Sequence, residues 1–201
     1  MESALYHASL LEQADFGDIV LSMKSSDVSS TYAAYCLAAE RCDYPLHVGV
    51  TEAGTQCMGT LKSAAGIGGL LLRGIGDTIR VSLTADPVRE VETALDLLRA
   101  IGLRQSGITV VSCPTCGRTR IDLIGLTGRV EQKLKNLVPS RPIKVAVMGC
   151  PVNGPGEARD ADVGIAGGDG CGLLFKKGQV VRKVPEEGLL DALLDEIHTL
   201  L

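Results

Sequence analysis

The sequence predicts an α/β protein in two parts: alternating helices and strands over residues 1–112, then a smaller α+β domain over 113–201. Three observations carry that prediction. Apolar strand-like runs alternate with amphipathic helical stretches in the first part, the pattern of a parallel sheet covered by helices. Polar or reactive residues close each run, namely Lys24, Glu52, Ser82 and Cys113. After Cys116 the alternation gives way to turn-rich segments and a hairpin.

The elements follow in order. An amphipathic helix over Glu2–Gln13 leads into the apolar run Asp18–Lys24. The next helix sets Val28, Tyr32, Tyr35, Cys36 and Ala39 on one face, at a period of about 3.6 residues. A second run, Leu46–Thr51, precedes a glycine-interrupted helical stretch from Gln56 to Leu72, and the third run is Thr78–Thr84. Asp86 caps a helix with Pro87 at its first position, and Val88, Val91, Leu95, Leu98 and Ile101 form the stripe expected to be buried. The fourth run is Gly107–Ser112. Both faces of these runs read as apolar, so helices are expected on both sides. In a (β/α)8 barrel the strands' C-terminal ends form the catalytic face, but such a barrel needs about 250 residues. Only four βα units fit before Cys113. The first part is therefore either a small open sheet or half a barrel.

In the second part a helix over 126–137 carries Leu126, Val130, Leu134 and Leu137, and the strand Ile143–Met148 runs into Gly149 and Cys150. The stretch Pro151–Glu157 holds too many turn residues for a strand. A strand over Val163–Ala166 follows, then a hairpin of Leu173–Phe175 with Gln179–Val184 about Lys177 and Gly178. A last helix over 186–200 buries Leu190, Leu193, Leu194 and Ile197.

Composition narrows the function. Hydrophobic residues at 45% fit a soluble globular chain, and a formal charge of −4 gives no reason to expect nucleic acid or an anionic membrane as partner. The longest apolar stretch, Ala64–Leu72, is glycine-rich and too short to span a bilayer. No signal peptide is read at the start, so the cytoplasm is the expected compartment. There the seven cysteines read as core residues, metal ligands or redox groups rather than disulfides.

Cys113-Pro-Thr-Cys116 leaves one strand and Cys150 leaves a later one. A CxxC delivers two thiolates to one centre, and folding must bring the third. Zinc ordinarily takes four side chains, yet His7, His47 and His198 are all distant in sequence. Three thiolates without a fourth favour an iron–sulfur cubane with one iron not held by cysteine; zinc, or buried or redox thiols, are the alternatives. Cys36 reads as core, Cys42 and Cys57 have no metal partner, and Cys171 in its glycine loop could approach the cluster.

At Cys113-Pro-Thr-Cys-Gly-Arg118 and Met148-Gly-Cys-Pro-Val-Asn-Gly-Pro-Gly-Glu157 the chain resembles the 4-hydroxy-3-methylbut-2-en-1-yl diphosphate synthase family. The segments Ser22–Asp27, His47–Gly54, Gly76–Ser82 and Gly164–Gly168 resemble the family as well. The resemblance implies the second half of a (β/α)8 TIM-type barrel over 1–112, its N-terminal half absent, and a [4Fe–4S] domain over 113–201. Pro151 and Cys171 depart from the family pattern without touching ligand positions.

The family's cluster ligands carry over to Cys113, Cys116, Cys150 and Glu157. The carboxylate is the harder ligand, one a substrate oxygen can displace. Glu52 matches the catalytic acid, Lys24, Arg80 and Ser82 match diphosphate contacts, and Asn153 matches a polar substrate contact near the fourth iron. His47 either packs in the barrel or lines the site. The implied reaction reduces 2-C-methyl-D-erythritol 2,4-cyclodiphosphate to the hydroxymethylbutenyl diphosphate. Flavodoxin or ferredoxin is the implied electron donor, and a head-to-tail homodimer is the implied assembly. The isolated chain is expected to be inactive. A simple electron carrier and a zinc-stabilised interaction module are the rival classes.

Overall fold

The computed structural model describes residues 1–201, and the chain divides between Arg104 and Gln105 into two units.

The first unit is α1 (Glu2–Gln13), α2 (Val28–Arg41), β1 (His47–Gly49), α3 (Gln56–Ser63), α4 (Gly69–Leu71), β2 (Thr78–Arg80) and α5 (Pro87–Ala100). A π-helical turn, Ala64–Gly68, joins α3 to α4 where glycines loosen the helix. β1 and β2 pair in parallel, with His47 opposite Thr78 and Gly49 opposite Arg80. The expected strand over 18–24 is extended chain that touches this sheet through one parallel bridge, Leu21 to Leu46. The Tyr35 hydroxyl, wholly buried, ties α2 to both segments: it donates to the His47 carbonyl at 2.5 Å and accepts from Met23 N–H at 2.9 Å.

Two expectations are corrected in this unit. The strands are not apolar on both faces. Leu21, Leu46, Val48 and Val81 pack with Tyr35, Ile67, Leu70 and Leu97 of the helices. The alternate residues Ser22, Lys24, His47, Thr78, Arg80 and Ser82 occupy the opposite face, so the period of two had been masked by the valines and isoleucines between them. The stripe on α5 is also rotated. Val88 and Val91 are exposed, while Leu97 is buried with Ala94 and Ile101 against the core. The cap itself is as expected: the Asp86 side chain accepts from Val88 N–H at 2.9 Å.

The second unit holds β3 (Ile108–Ser112), α6 (Leu123–Leu134), β4 (Ile143–Met148), α7 (Gly154–Glu157), β5 (Val163–Ala166), β6 (Cys171–Lys176), β7 (Gln179–Pro185) and α8 (Leu189–His198). Its sheet runs in the order β3-β4-β5-β6-β7, parallel through β5 and antiparallel beyond. The run Gly107–Ser112, expected to close the first part, thus belongs to the second. β4 is buried along nearly its whole length and needs a partner on each edge, and Ile108–Ser112 supplies one in a five-residue parallel register. Leu123, Leu126, Val130 and Leu134 of α6 and Leu189, Leu193 and Ile197 of α8 cover one face of the sheet. α6 starts earlier than the expected 126 because Asp122 caps it, accepting from Gly125 N–H at 3.0 Å. Small residues cover the other face, where Ala158 and Ala161 pack on Ala146, Met148, Ala166 and Phe175. That close fit brings the segment after Cys150 down onto the sheet.

Candidate metal centre

Cys113 follows β3 and Cys150 follows β4, so both leave adjacent parallel strands at their C-terminal ends. The loop between Cys113 and Arg120 is fastened at both ends to one residue. Gly149 N–H donates to Cys113 Sγ at 3.2 Å, and the Gly149 carbonyl accepts from Arg120 N–H at 3.0 Å. Gly149 is closely packed between these bonds: a Cβ on residue 149 would lie 2.9 Å from Thr119 Oγ1 and 3.2 Å from Leu123 Cδ2, so those side chains would have to shift. Cys116 sits in the fastened loop and is exposed, whereas Cys150 is buried. The backbone N–H of Arg118 holds the Cys116 thiol below the ordinary cysteine range, helped by the Thr119 hydroxyl and the Arg118 charge and opposed by desolvation.

The chain then turns through Asn153 into α7, which ends on Glu157. Gly154 is wedged against the sheet, since a Cβ there would lie 2.9 Å from the Cβ atoms of Ala166 and Met148. Asn153 Nδ2 donates to Glu157 Oε1 at 3.2 Å. Beside Cys150, Arg118, Arg120, Val152 and Asp169 line a cavity of about 250 Å³, with Arg120 Nε 3.9 Å from Asp169 Oδ1. Neither arginine is given a role by the sequence, although Arg118 stands in the Cys113–Arg118 motif itself and Arg120 two residues on; that place was the available signal. Cys171 opens β6, and its thiol donates to the Asp169 carbonyl at 3.5 Å.

All seven cysteines are free thiols. No three His, Cys, Asp or Glu side chains converge on a position for a single metal ion. Cys113, Cys116 and Cys150 offer soft thiols and Glu157, at the end of α7, a harder carboxylate, a donor set whose chemistry a cubane accepts.

In the first unit, Lys24 and Arg80 come together with His47 on the polar face. Gly49 makes the room: a Cβ there would lie 2.8 Å from the Arg80 carbonyl and 3.3 Å from Lys24 Cε. Burial, reinforced by the Arg80 charge, lowers the Lys24 pKa. Burial likewise lowers that of His47, with Lys24 and Arg80 adding to the effect, and His47 Nδ1 lies 2.8 Å from Thr78 Oγ1. His47 therefore shares the face of the cations rather than the helix-packed core. Ser82 Oγ is buried without a partner, and Glu52 holds a left-handed backbone at φ 50°. Of the remaining thiols, Cys36 accepts from Arg73 Nη1 at 3.2 Å, Cys42 donates to the Ala38 carbonyl at 3.3 Å, and Cys57 is exposed.

An α/β chain with a cationic strand face in one unit and a cysteine-rich strand-end centre in the other is the class that fold and site define. Residues 1–95 match the model of the GcpE TIM-barrel domain, and residues 109–199 that of the GcpE protein C-terminal domain. The chain is 58% identical over 201 residues to the 4-hydroxy-3-methylbut-2-en-1-yl diphosphate synthase (flavodoxin) of Geobacter sulfurreducens, covering 56% of that protein. It is 57% identical over 200 residues to the proteins of the same name from Bacillus mycoides and Bacillus cereus, covering 54% of each. The chain belongs to the GcpE family. It spans just over half the length of the curated relatives it matches.

Proposed function

We propose that this chain is part of a 4-hydroxy-3-methylbut-2-en-1-yl diphosphate synthase and that its second unit holds a [4Fe–4S] cluster through Cys113, Cys116, Cys150 and Glu157. The observation that carries the reading is the emergence of Cys113 and Cys150 from adjacent parallel strands, with Gly149 fastening the loop that bears Cys116. When bound, the cluster supplies single electrons and a Lewis-acidic iron that the carboxylate leaves open to exchange. Flavodoxin, the donor in the relatives' printed name, fits a reaction that takes two electrons one at a time.

The chain's own residues bind and orient the substrate. Lys24 and Arg80 offer two cations on one face to the diphosphate of 2-C-methyl-D-erythritol 2,4-cyclodiphosphate. The unpartnered Ser82 hydroxyl gives a third contact on that face. Glu52 serves as the acid that protonates the departing hydroxide; its left-handed backbone at a strand end is the kind of strain that functional positions carry. The first unit, residues 1–104, is part of a TIM-type barrel, and the strands that complete it must come from further polypeptide, because a closed barrel takes about 250 residues. We expect a cytoplasmic head-to-tail homodimer for the complete enzyme and no synthase activity from the 201 residues alone.

The test is an anaerobic assay with the cyclic diphosphate and a strong artificial reductant, run on the chain alone and after fusion to the remaining length of the Geobacter relative. The reading expects turnover only from the fusion, and its loss in Glu52→Gln with substrate still bound. A fusion that carries four irons, binds the substrate and never turns it over contradicts it.

A further inference from the structure

Cys150 leaves its strand into a turn whose next exposed side chain is Val152, 79% open to solvent. Arg118 lies two residues beyond Cys116 and Arg120 two further on, in the loop that the Gly149 carbonyl closes at Arg120 N–H. All three line the small cavity beside Cys150, and all three are exposed. Asp169, 3.9 Å from Arg120, is the one acid lining it, and the solvent around that pair leaves it weak. The other ion pairs of the unit are Arg141–Asp162, Arg159–Asp160 and Lys176–Glu196, so Arg118 is unpaired. On a chain of formal charge −4, the exit of Cys150 thus carries a local positive rim beside an apolar contact.

Exposure decides what these cations do. Solvent screens an exposed charge within about 8–10 Å, so it tunes a buried neighbour only weakly. The same charge steers an oppositely charged macromolecule, and a surface of such charges raises association rates by roughly 10- to 1,000-fold. An apolar side chain rimmed by cations is also the composition of a protein interface. We propose that Arg118, Arg120 and Val152 form the docking surface for an acidic one-electron carrier protein, which delivers its electrons beside Cys150. The proposal rests on the cluster reading and gives the flavodoxin proposed above its place of contact. One electron leaves the reduced carrier and enters the oxidised centre, and no bond to either protein forms or breaks. Exposed Val152 lets the carrier's redox group come within two residues of a cluster ligand.

The experiment is stopped-flow reduction of the anaerobically reconstituted chain at low salt, by reduced flavodoxin and separately by the methyl viologen radical, a small cation. Arg118→Gln and Arg120→Gln each slow the flavodoxin reaction by roughly 3- to 10-fold and flatten its salt dependence. Val152→Glu, which sets a like charge against an acidic carrier, slows it at least as much. Arg118→Lys and Arg120→Lys keep most of the rate, because steering needs the charge rather than the planar fork. Lys135→Gln, at the far end of α6 from the CxxC loop, removes the same net charge and changes nothing. Methyl viologen reduces every variant at no less than the rate of the unmutated protein, and equal iron content shows the centre intact. Where a glutamine variant loses iron, Val152→Glu decides by the same two rates. An unchanged flavodoxin rate in these variants overturns the proposal. An equal slowing with methyl viologen, or with Lys135→Gln, also overturns it, because the arginines then act on the centre or through net charge. If the unmutated protein holds no iron, the cluster reading fails together with the proposal; if it holds iron and accepts electrons from methyl viologen but none from flavodoxin, only the proposal fails.

Discussion

The backbone N–H of Gly149 points at the sulfur of Cys113, 3.2 Å away. An N–H donor draws charge from a thiolate, and such bonds are among the levers that set a cluster's potential. A side chain at the same residue would push against Thr119 and Leu123. Gly149→Ala should therefore destabilise the second unit by about 1–3 kcal/mol, the usual range for overpacking. It should also raise the rate of iron loss under chelator. Urea denaturation and a timed iron assay measure the two effects, and unchanged values for both contradict the loop's fastening.

Lys24 and Arg80 raise each other's need for an anion. Burial, with the Arg80 charge behind it, lowers the Lys24 pKa, so more of its amine is neutral at a given pH than in an isolated lysine. Inorganic pyrophosphate adds negative charge, raises that pKa and slows acylation of Lys24 at fixed pH. Arg80→Met also slows it by removing the neighbouring positive charge, and it weakens the pyrophosphate effect. Mass-spectrometric acylation rates decide; faster acylation with pyrophosphate bound contradicts a shared anion site.

The hairpin between β6 and β7 turns on Lys177 and Gly178, both left-handed, with φ 47° and 76°. Two-residue turns of this kind prefer Asn-Gly. Lys177→Asn should stabilise the second unit by about 0.5 kcal/mol, because asparagine tolerates that conformation better than lysine. Gly178→Ala should cost about 1–3 kcal/mol, since its Cβ meets strain and lies 2.9 Å from Arg159 Cβ. Thermal unfolding of the two variants gives opposite shifts if the turn is as described.

Glu157 and the cysteines should part company on mutation. Glu157→Ala leaves three thiolates to anchor the cluster, so iron content stays near that of the unmutated protein while turnover in the complete enzyme is lost. Iron analysis beside the anaerobic assay measures this. Loss of the cluster, or near-normal turnover, contradicts the role of a displaceable ligand.

Local chemistry made much of this legible in the sequence. Asp86-Pro87 marks a helix start by capping and a fixed φ, and Lys177-Gly178 marks a turn by its need for positive φ. The spacing of Cys113, Cys116 and Cys150 points to a shared centre, and the structure sets Cys113 and Cys150 after adjacent parallel strands. What stayed hidden depends on partners distant along the chain. Nothing local tells Ile108–Ser112 to pair with β4, because an apolar run suits either sheet. The polar face of Lys24, His47 and Arg80 became visible only when the parallel register aligned three separate segments. The grip of Asn153 on Glu157 was masked by four turn-prone neighbours, for which a plain turn is an equally good reading.

The most direct measurement is the metal content and Mössbauer spectrum of the chain after anaerobic reconstitution with iron and sulfide. The account predicts about four irons per chain, a broad visible band bleached by oxygen, and loss of both in Cys113→Ser, Cys116→Ser and Cys150→Ser. Stoichiometric zinc in a colourless protein, or an undiminished band in any of those three variants, contradicts it.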